Sequence, residues 1–260
     1  MIRFNNDYNH GAFESILNGL AATNTASYAG YGEDEWCARA EDDIKKLISR
    51  DDALIKFIPG ATQANIVVIS AALSQIQSVI AADTGHINCH EAASIEGAGH
   101  KILVLPNTDG KIDARQIAAC AAAYYDGGTP EYLTEPKMVY LSFPTEKGTL
   151  YSKRELREIS EVCKRYGMYL FVDGARMGYG LGSERNDLTL REAAVWGCVY
   201  SIQETQGSFD NYNTDPDTDQ LLIPSVDVDA YLAKLVGPSF KMTHKTFEME
   251  DMTIEFDEST

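Results

Sequence analysis

Between about residue 34 and residue 202, short apolar runs alternate with longer stretches in which apolar residues recur every three or four positions. The runs fall at 54–58, 78–82, 101–105, 138–142, 169–172 and 199–202. They are brief, rich in Val, Ile and Tyr, and stop at polar, Gly or Pro residues, as strands buried on both faces do. Between them the helical period predicts helices over 34–48, 64–74, 90–97, 114–123 and 153–166. Ser152 ahead of the last of these, with Glu155 and Glu158 behind it, reads as an N-cap with acidic residues in the first turn. Strands alternating with helices predict an α/β fold of three layers, a mostly parallel sheet covered by helices on both faces. Such sheets bind ligands at the carboxyl ends of their strands, so the residues just after each run are the ones to read for chemistry.

Beyond residue 202 the pattern changes. Residues 210–220, DNYNTDPDTDQ, read as loop. Residues 226–236 fit a short amphipathic helix, and the closing acidic stretch fits either a strand with a frayed end or disorder. Charge breaks at the same place. Residues 203–260 hold 3 basic residues (Lys234, Lys241 and Lys245) and 13 acidic ones, and the last arginine of the chain is Arg191. The whole chain carries a net charge of −17, which disfavours a phosphate backbone as partner, so no nucleic acid is expected.

Composition narrows the class further. A chain of 260 residues with 44% apolar and 23% charged residues can bury one large domain or two modest ones. Its five cysteines are odd in number, widely spread and without a CxxC pair, which fits reduced thiols and a cytoplasmic protein. The opening MIRFNNDYNHG lacks the apolar centre of a signal peptide, and no window approaches the roughly 18 apolar residues of a membrane span.

Four strand ends carry candidate chemistry. After 54–58 comes Pro59-Gly60-Ala61-Thr62-Gln63, where small residues at a helix start can cradle a phosphate; the alternative is an ordinary turn with Thr62 as N-cap. After 78–82, His86, His90 and Glu91 can be read as metal ligands, as an imidazole stacked on a flat ligand, or as structural residues at a helix start. After 169–172, Asp173 and Arg176 are placed to meet a metal, a ribose or a protonated ring nitrogen, or else to pair with each other. After 138–142, Thr145 and Glu146 lie in a loop at the same sheet edge, as site residues or as a plain turn.

In order and spacing, the segments IRFNNDYNHGA, YAGYGEDEW, PGATQAN, ADTGHINCHE, GHKILVLPNTDGKI, VYLSFPTEKGTLYS and LFVDGARMGYGL resemble the threonine aldolase/aromatic amino acid β-eliminating lyase family, a branch of the fold-type-I pyridoxal-phosphate enzymes. The resemblance covers residues 2 to about 202. It implies a lyase with the large domain of the PLP-dependent transferase fold, pyridoxal 5′-phosphate as cofactor, and an amino acid substrate. The implied reaction splits a β-hydroxy-α-amino acid such as threonine into glycine and an aldehyde; β-elimination is the neighbouring possibility. By the same resemblance Ala61 and Thr62 hold the cofactor phosphate, and His86 stacks on the ring and moves protons. Asp173 pairs with the ring nitrogen, and Arg176 sits near the ring oxygen. No metal is implied. Family sites lie between subunits, so a homo-oligomer, dimer or tetramer, is expected, with Asp7, Tyr31 and the loop around Glu33 reaching the partner's site. Glu146 stands where many members carry a histidine.

The match fails after Ile202. The family's chemistry needs a lysine amine that condenses with the cofactor aldehyde, in a segment of the form Y-I-G-G-T-K. Here Gln203, Glu204, Thr205 and Gln206 follow the strand, so Gln206 stands at the lysine position. A glutamine amide cannot form an imine, because its nitrogen lone pair is delocalised into the carbonyl. Glu204 also adds a negative charge near the expected phosphate; at about 4 Å and an effective dielectric of about 20, such a repulsion costs about 4 kcal/mol. Lys234, in DAYLAKL, has no such segment around it. The resulting organisation is an N-terminal arm (1–20), an incomplete PLP-binding large domain (21–202) and a divergent acidic tail (203–260), with the small C-terminal domain missing or replaced. Function is then either an aldolase-type lyase impaired at Gln206 or a non-catalytic binding or interaction protein on the same scaffold.

Overall fold

The alternation is realised in a computed structural model that describes residues 12–195, 198–201, 240–243 and 246–249. Helix α1 (Glu14–Thr23) and helix α2 (Glu35–Ile48) precede α3 (Ala61–Ala72), which leads into strand β1 (Gln77–Ala82). Two single-turn helices, α4 (His86–Cys89) and α5 (Ser94–Gly97), lead to β2 (Lys101–Leu105). Helix α6 (Ala114–Tyr125), β3 (Glu135–Ser142), α7 (Lys153–Tyr166) and β4 (Tyr169–Asp173) follow. Short helices α8 (Met177–Leu181) and α9 (Leu190–Val195) then lead to β5 (Cys198–Ser201). A separate antiparallel pair, β6 (Phe240–Thr243) and β7 (Thr246–Met249), lies in the tail.

Helix ends follow from side-chain chemistry. The Ser152 hydroxyl accepts from the Glu155 amide, and the Glu155 carboxylate accepts from the Ser152 amide, so two otherwise orphaned donors are satisfied at the start of α7. Gly167, at φ 61°, closes the same helix in the left-handed conformation. Asp113 and Gln116 make the same reciprocal box for α6, and Asp34 accepts from the amides of Trp36 and Cys37 at α2. Along α7, Leu156, Ile159, Val162 and Cys163 are buried at helical spacing.

The five strands pair in the order β2-β1-β3-β4-β5, and every pairing is parallel. Alternate residues of β1, β3 and β4 enter opposite cores, which is why these strands read as apolar runs. On one face Ile80, Val139, Leu141, Leu170 and Val172 pack with Ile117, Leu156 and Ile159 from α6 and α7. On the other, Val79, Ala81, Met138, Tyr140 and Phe171 pack with Ile69 of α3, Ile87 and Ile95. The chain leaves β1 for β2 on one side and returns to β3 on the other, so the strand order reverses at the β1/β3 boundary, where sheets of this kind open a crevice.

Three expectations need correction. Residues 54–58 form no strand: Leu54 and Phe57 are 46% and 50% exposed, and no described strand gives them a hydrogen-bond ladder. Of the helix expected over 90–97 only Ser94–Gly97 forms, because Ala92 and Ala93 take positive φ of 50° and 59°; a separate turn of helix, His86–Cys89, precedes the expected range. Helix α3 starts three residues earlier than the periodicity suggested, with Gly60 rather than Thr62 at its N-cap. The acidic end holds the β6/β7 pair, whereas the helix expected at 226–236 lies outside the described residues. Among the described residues no helix is long and apolar enough to cross a membrane.

Candidate functional site

The carboxyl ends of β1, β3 and β4 and the start of α3 meet in a cleft of roughly 1040 Å³. Gly60, Ala61, Thr62 and Gln63 line it from α3; His86 and His90 follow β1; Ser142, Thr145 and Glu146 follow β3; Asp173, Ala175 and Arg176 follow β4. Thus Ala61, Thr62, His86, Asp173 and Arg176, read from separate stretches of sequence, share one cleft.

At the start of α3 the first intrahelical bond is made by the Ala64 amide to the Gly60 carbonyl. The amides of Ala61, Thr62 and Gln63 precede it and have no carbonyl within the helix to bond, and no side chain caps them. With the helix dipole these amides form an anion seat, and Gly60 at φ 99° supplies a turn that an L side chain would strain.

Asp173 is 3% exposed and accepts three hydrogen bonds from neutral donors. Its Oδ2 takes the Tyr140 hydroxyl at 2.5 Å and the Asn65 amide at 3.2 Å, and its Oδ1 takes the Ala175 amide at 3.0 Å. Oδ2 is therefore occupied twice, and Oδ1 keeps a lone pair for a ligand. Burial, then the Asp173 charge, pushes the Tyr140 phenol well above its ordinary range, so it stays a proton donor. The carboxylate, the amide seat and the imidazole of His86 offer a place for an anion, a protonated ring nitrogen and a flat ring in one cleft.

Other expected residues fall out differently. Glu91 turns away from the cleft: its carboxylate accepts from Asn65 at 2.7 Å and from Ser94 at 2.9 Å, with His86 Nε2 at 3.9 Å. The rings of His86 and His90 lie 5.3 Å apart, and among the described residues no group of three potential ligands converges on a metal position. Glu146 accepts a hydrogen bond from the Ser142 hydroxyl. Tyr31 is 91% exposed, whereas Asp7 and Gln206 lie outside the described residues. Sequence reasoning missed Asn65 and Tyr140; the available signals were an amide just ahead of the apolar run of a helix and a phenol inside a buried strand, each of which needs a partner.

Residues 15–179 match the family described as beta-eliminating lyase. A low-specificity L-threonine aldolase of Pseudomonas aeruginosa is 32% identical over 176 residues, 67% of this chain and 49% of that protein. The structure resembles that of Leishmania major threonine aldolase, with 43% identity and a TM-score of 0.70 over 73% of this chain and 54% of that one. A PLP-bound C-S lyase from Staphylococcus hominis shares the fold alone, at 13% identity and a TM-score of 0.54 over 75% of this chain and 50% of that one. The chain spans about half the length of the curated relatives it matches. With residues 15–179 matched in sequence and the same parallel sheet beneath them, the chain belongs to the beta-eliminating lyase family of pyridoxal-phosphate enzymes.

Proposed function

We propose that the cleft binds pyridoxal 5′-phosphate and belongs to a threonine-aldolase-like lyase that splits a β-hydroxy-α-amino acid into glycine and an aldehyde, with catalysis impaired at Gln206. The observation that carries this reading is the buried Asp173, with an acceptor left over, in the same cleft as the open amides of α3. The amides of Ala61, Thr62 and Gln63, with the Thr62 hydroxyl, hold the phosphate, and Arg176, at the cleft wall, lies near the ring oxygen. Asp173 Oδ1 accepts the ring N–H and favours its protonated form. His86 lies along the ring. When bound, the cofactor supplies an electron sink for the pair released as the substrate Cα–Cβ bond breaks. The proposed organisation keeps 1–20 as an arm, 21–202 as the cofactor-binding unit and 203–260 as a divergent tail; α1 runs across the first of these boundaries.

Gln206 favours a second reading, a non-catalytic binding or interaction protein on this scaffold. Purified protein mixed with pyridoxal phosphate should gain its absorbance, yet retain no pyridoxyl mass after borohydride and denaturation. Gln206→Lys should acquire that mass at position 206. Failure of the wild type to take up the cofactor, or labelling of Lys234, overturns the reading. Threonine turnover abolished by Asp173→Asn excludes the non-catalytic alternative.

We further propose a cytoplasmic homo-oligomer. Cys37, Cys89, Cys120 and Cys163 are free thiols, which supports a reducing compartment. Phe13, Ile16, Leu17 and Leu20 recur at helical spacing along α1 and are 50%, 39%, 53% and 61% exposed, an apolar face suited to a second copy. Light scattering on a size-exclusion peak should give the mass of a dimer or tetramer; a monomer mass refutes it.

A further inference from the structure

Three side chains behind the cleft wall touch what lines it without lining it themselves. Asn65, Glu91 and Tyr140 are 0%, 6% and 1% exposed. The two amide protons of Asn65 go to two different carboxylates, Glu91 Oε1 at 2.7 Å and Asp173 Oδ2 at 3.2 Å. Its own Oδ1 is buried with no hydrogen-bond partner. Turning the amide over would press that oxygen against both carboxylates, so the unmet acceptor is the consequence of two acids sharing one NH2 group. Glu91 Oε2 is held in turn by the Ser94 hydroxyl at 2.9 Å, and His86 Nε2 lies 3.9 Å from Oε1. Residues 65, 91 and 173 come from α3, the turn between α4 and α5, and the end of β4.

We propose that Glu91 is a positioning residue for the cofactor site. Through Asn65 it fixes Asp173 with Oδ1 left for the ring nitrogen. Two carboxylates joined by one neutral amide also set a negative potential that favours a protonated ring nitrogen. This assignment rests on the cofactor reading given above and adds to it a residue that does not touch the cofactor.

Glu91→Gln is isosteric and removes the charge; its carbonyl can still accept from Asn65, and its amide NH2 replaces the acceptor facing Ser94, whose hydroxyl can turn to accept. The test binds 15N-labelled pyridoxal phosphate to the wild type, to Glu91→Gln and to Asp173→Asn, and reads affinity together with the ring-nitrogen chemical shift. Glu91→Gln should bind about tenfold more weakly and move the shift toward the unprotonated value, in the same direction as Asp173→Asn but less far. A purely structural Glu91 would leave the shift of the bound form unchanged, and that result overturns the assignment while the cofactor reading stands. If the wild type takes up no cofactor, the functional reading fails and the assignment falls with it. Should Glu91→Gln not fold, Ser94→Ala, which keeps the charge but frees Oε2, should shift the nitrogen the same way; no change there also refutes the role.

Discussion

Asp173→Asn should leave the fold in place and weaken pyridoxal-phosphate binding by about 100-fold, since a hydrogen bond between charged partners contributes about 1.5–3 kcal/mol. The local donors explain why the fold tolerates the change. The asparagine carbonyl can still accept from Ala175 or Asn65, and the Tyr140 hydroxyl can rotate to accept where it formerly donated. Removing one of two carboxylates that share the Asn65 amide also relieves like-charge repulsion in the free protein. Its thermal midpoint should therefore stay within about 4 °C of the wild type, the shift expected for about 1 kcal/mol in a domain of this size. Equilibrium titration with the cofactor, beside a thermal melt of the free protein, checks both halves. Equal affinity in the two proteins would remove Asp173 from the site.

Much of the sheet was legible because burial on both faces keeps the middle of a strand apolar, so β1, β3 and β4 stand out as apolar runs. Residues 54–58 carry the same signal and form no strand, because a strand also needs a neighbour with free backbone groups, and that is a property of the assembled sheet. The break at Ala92 and Ala93 was equally invisible: alanine favours the right-handed helix, and nothing in the local sequence marks either residue for positive φ. At the site, Thr62, His86 and Asp173 could be picked out because parallel sheets put ligands at strand ends, and the family resemblance supplied their roles. The polar net behind them could not. Asn65 meets Glu91 across 26 residues and Asp173 across 108, and no local periodicity encodes contacts at such separations. Glu91 was visible as a charge beside two histidines, which suggested a metal ligand; in the structure it points inward to hydrogen-bond donors.

Phe171→Ala should cost about 3–5 kcal/mol, a large part of the roughly 5–15 kcal/mol that holds a domain folded. Phe171 is 0% exposed on β4, in register with Tyr140 of β3, and the two rings meet edge to face at 5.3 Å and 89°. It shares its core with Ile69 of α3, the helix that carries both the anion seat and Asn65. The cavity left by the ring therefore opens beneath Tyr140, whose hydroxyl should hold Asp173 less firmly, so cofactor affinity should fall along with stability. The neighbouring residue separates these effects. Val172 is 2% exposed but faces the opposite core with Ile159 and Leu156, so Val172→Ala should lower stability without loosening Tyr140. Urea denaturation and cofactor titration on both variants test the coupling. If affinity falls equally in the two, or in neither, the packing of Phe171 on Tyr140 does not support the site, and the Tyr140 hydroxyl holds the carboxylate without it.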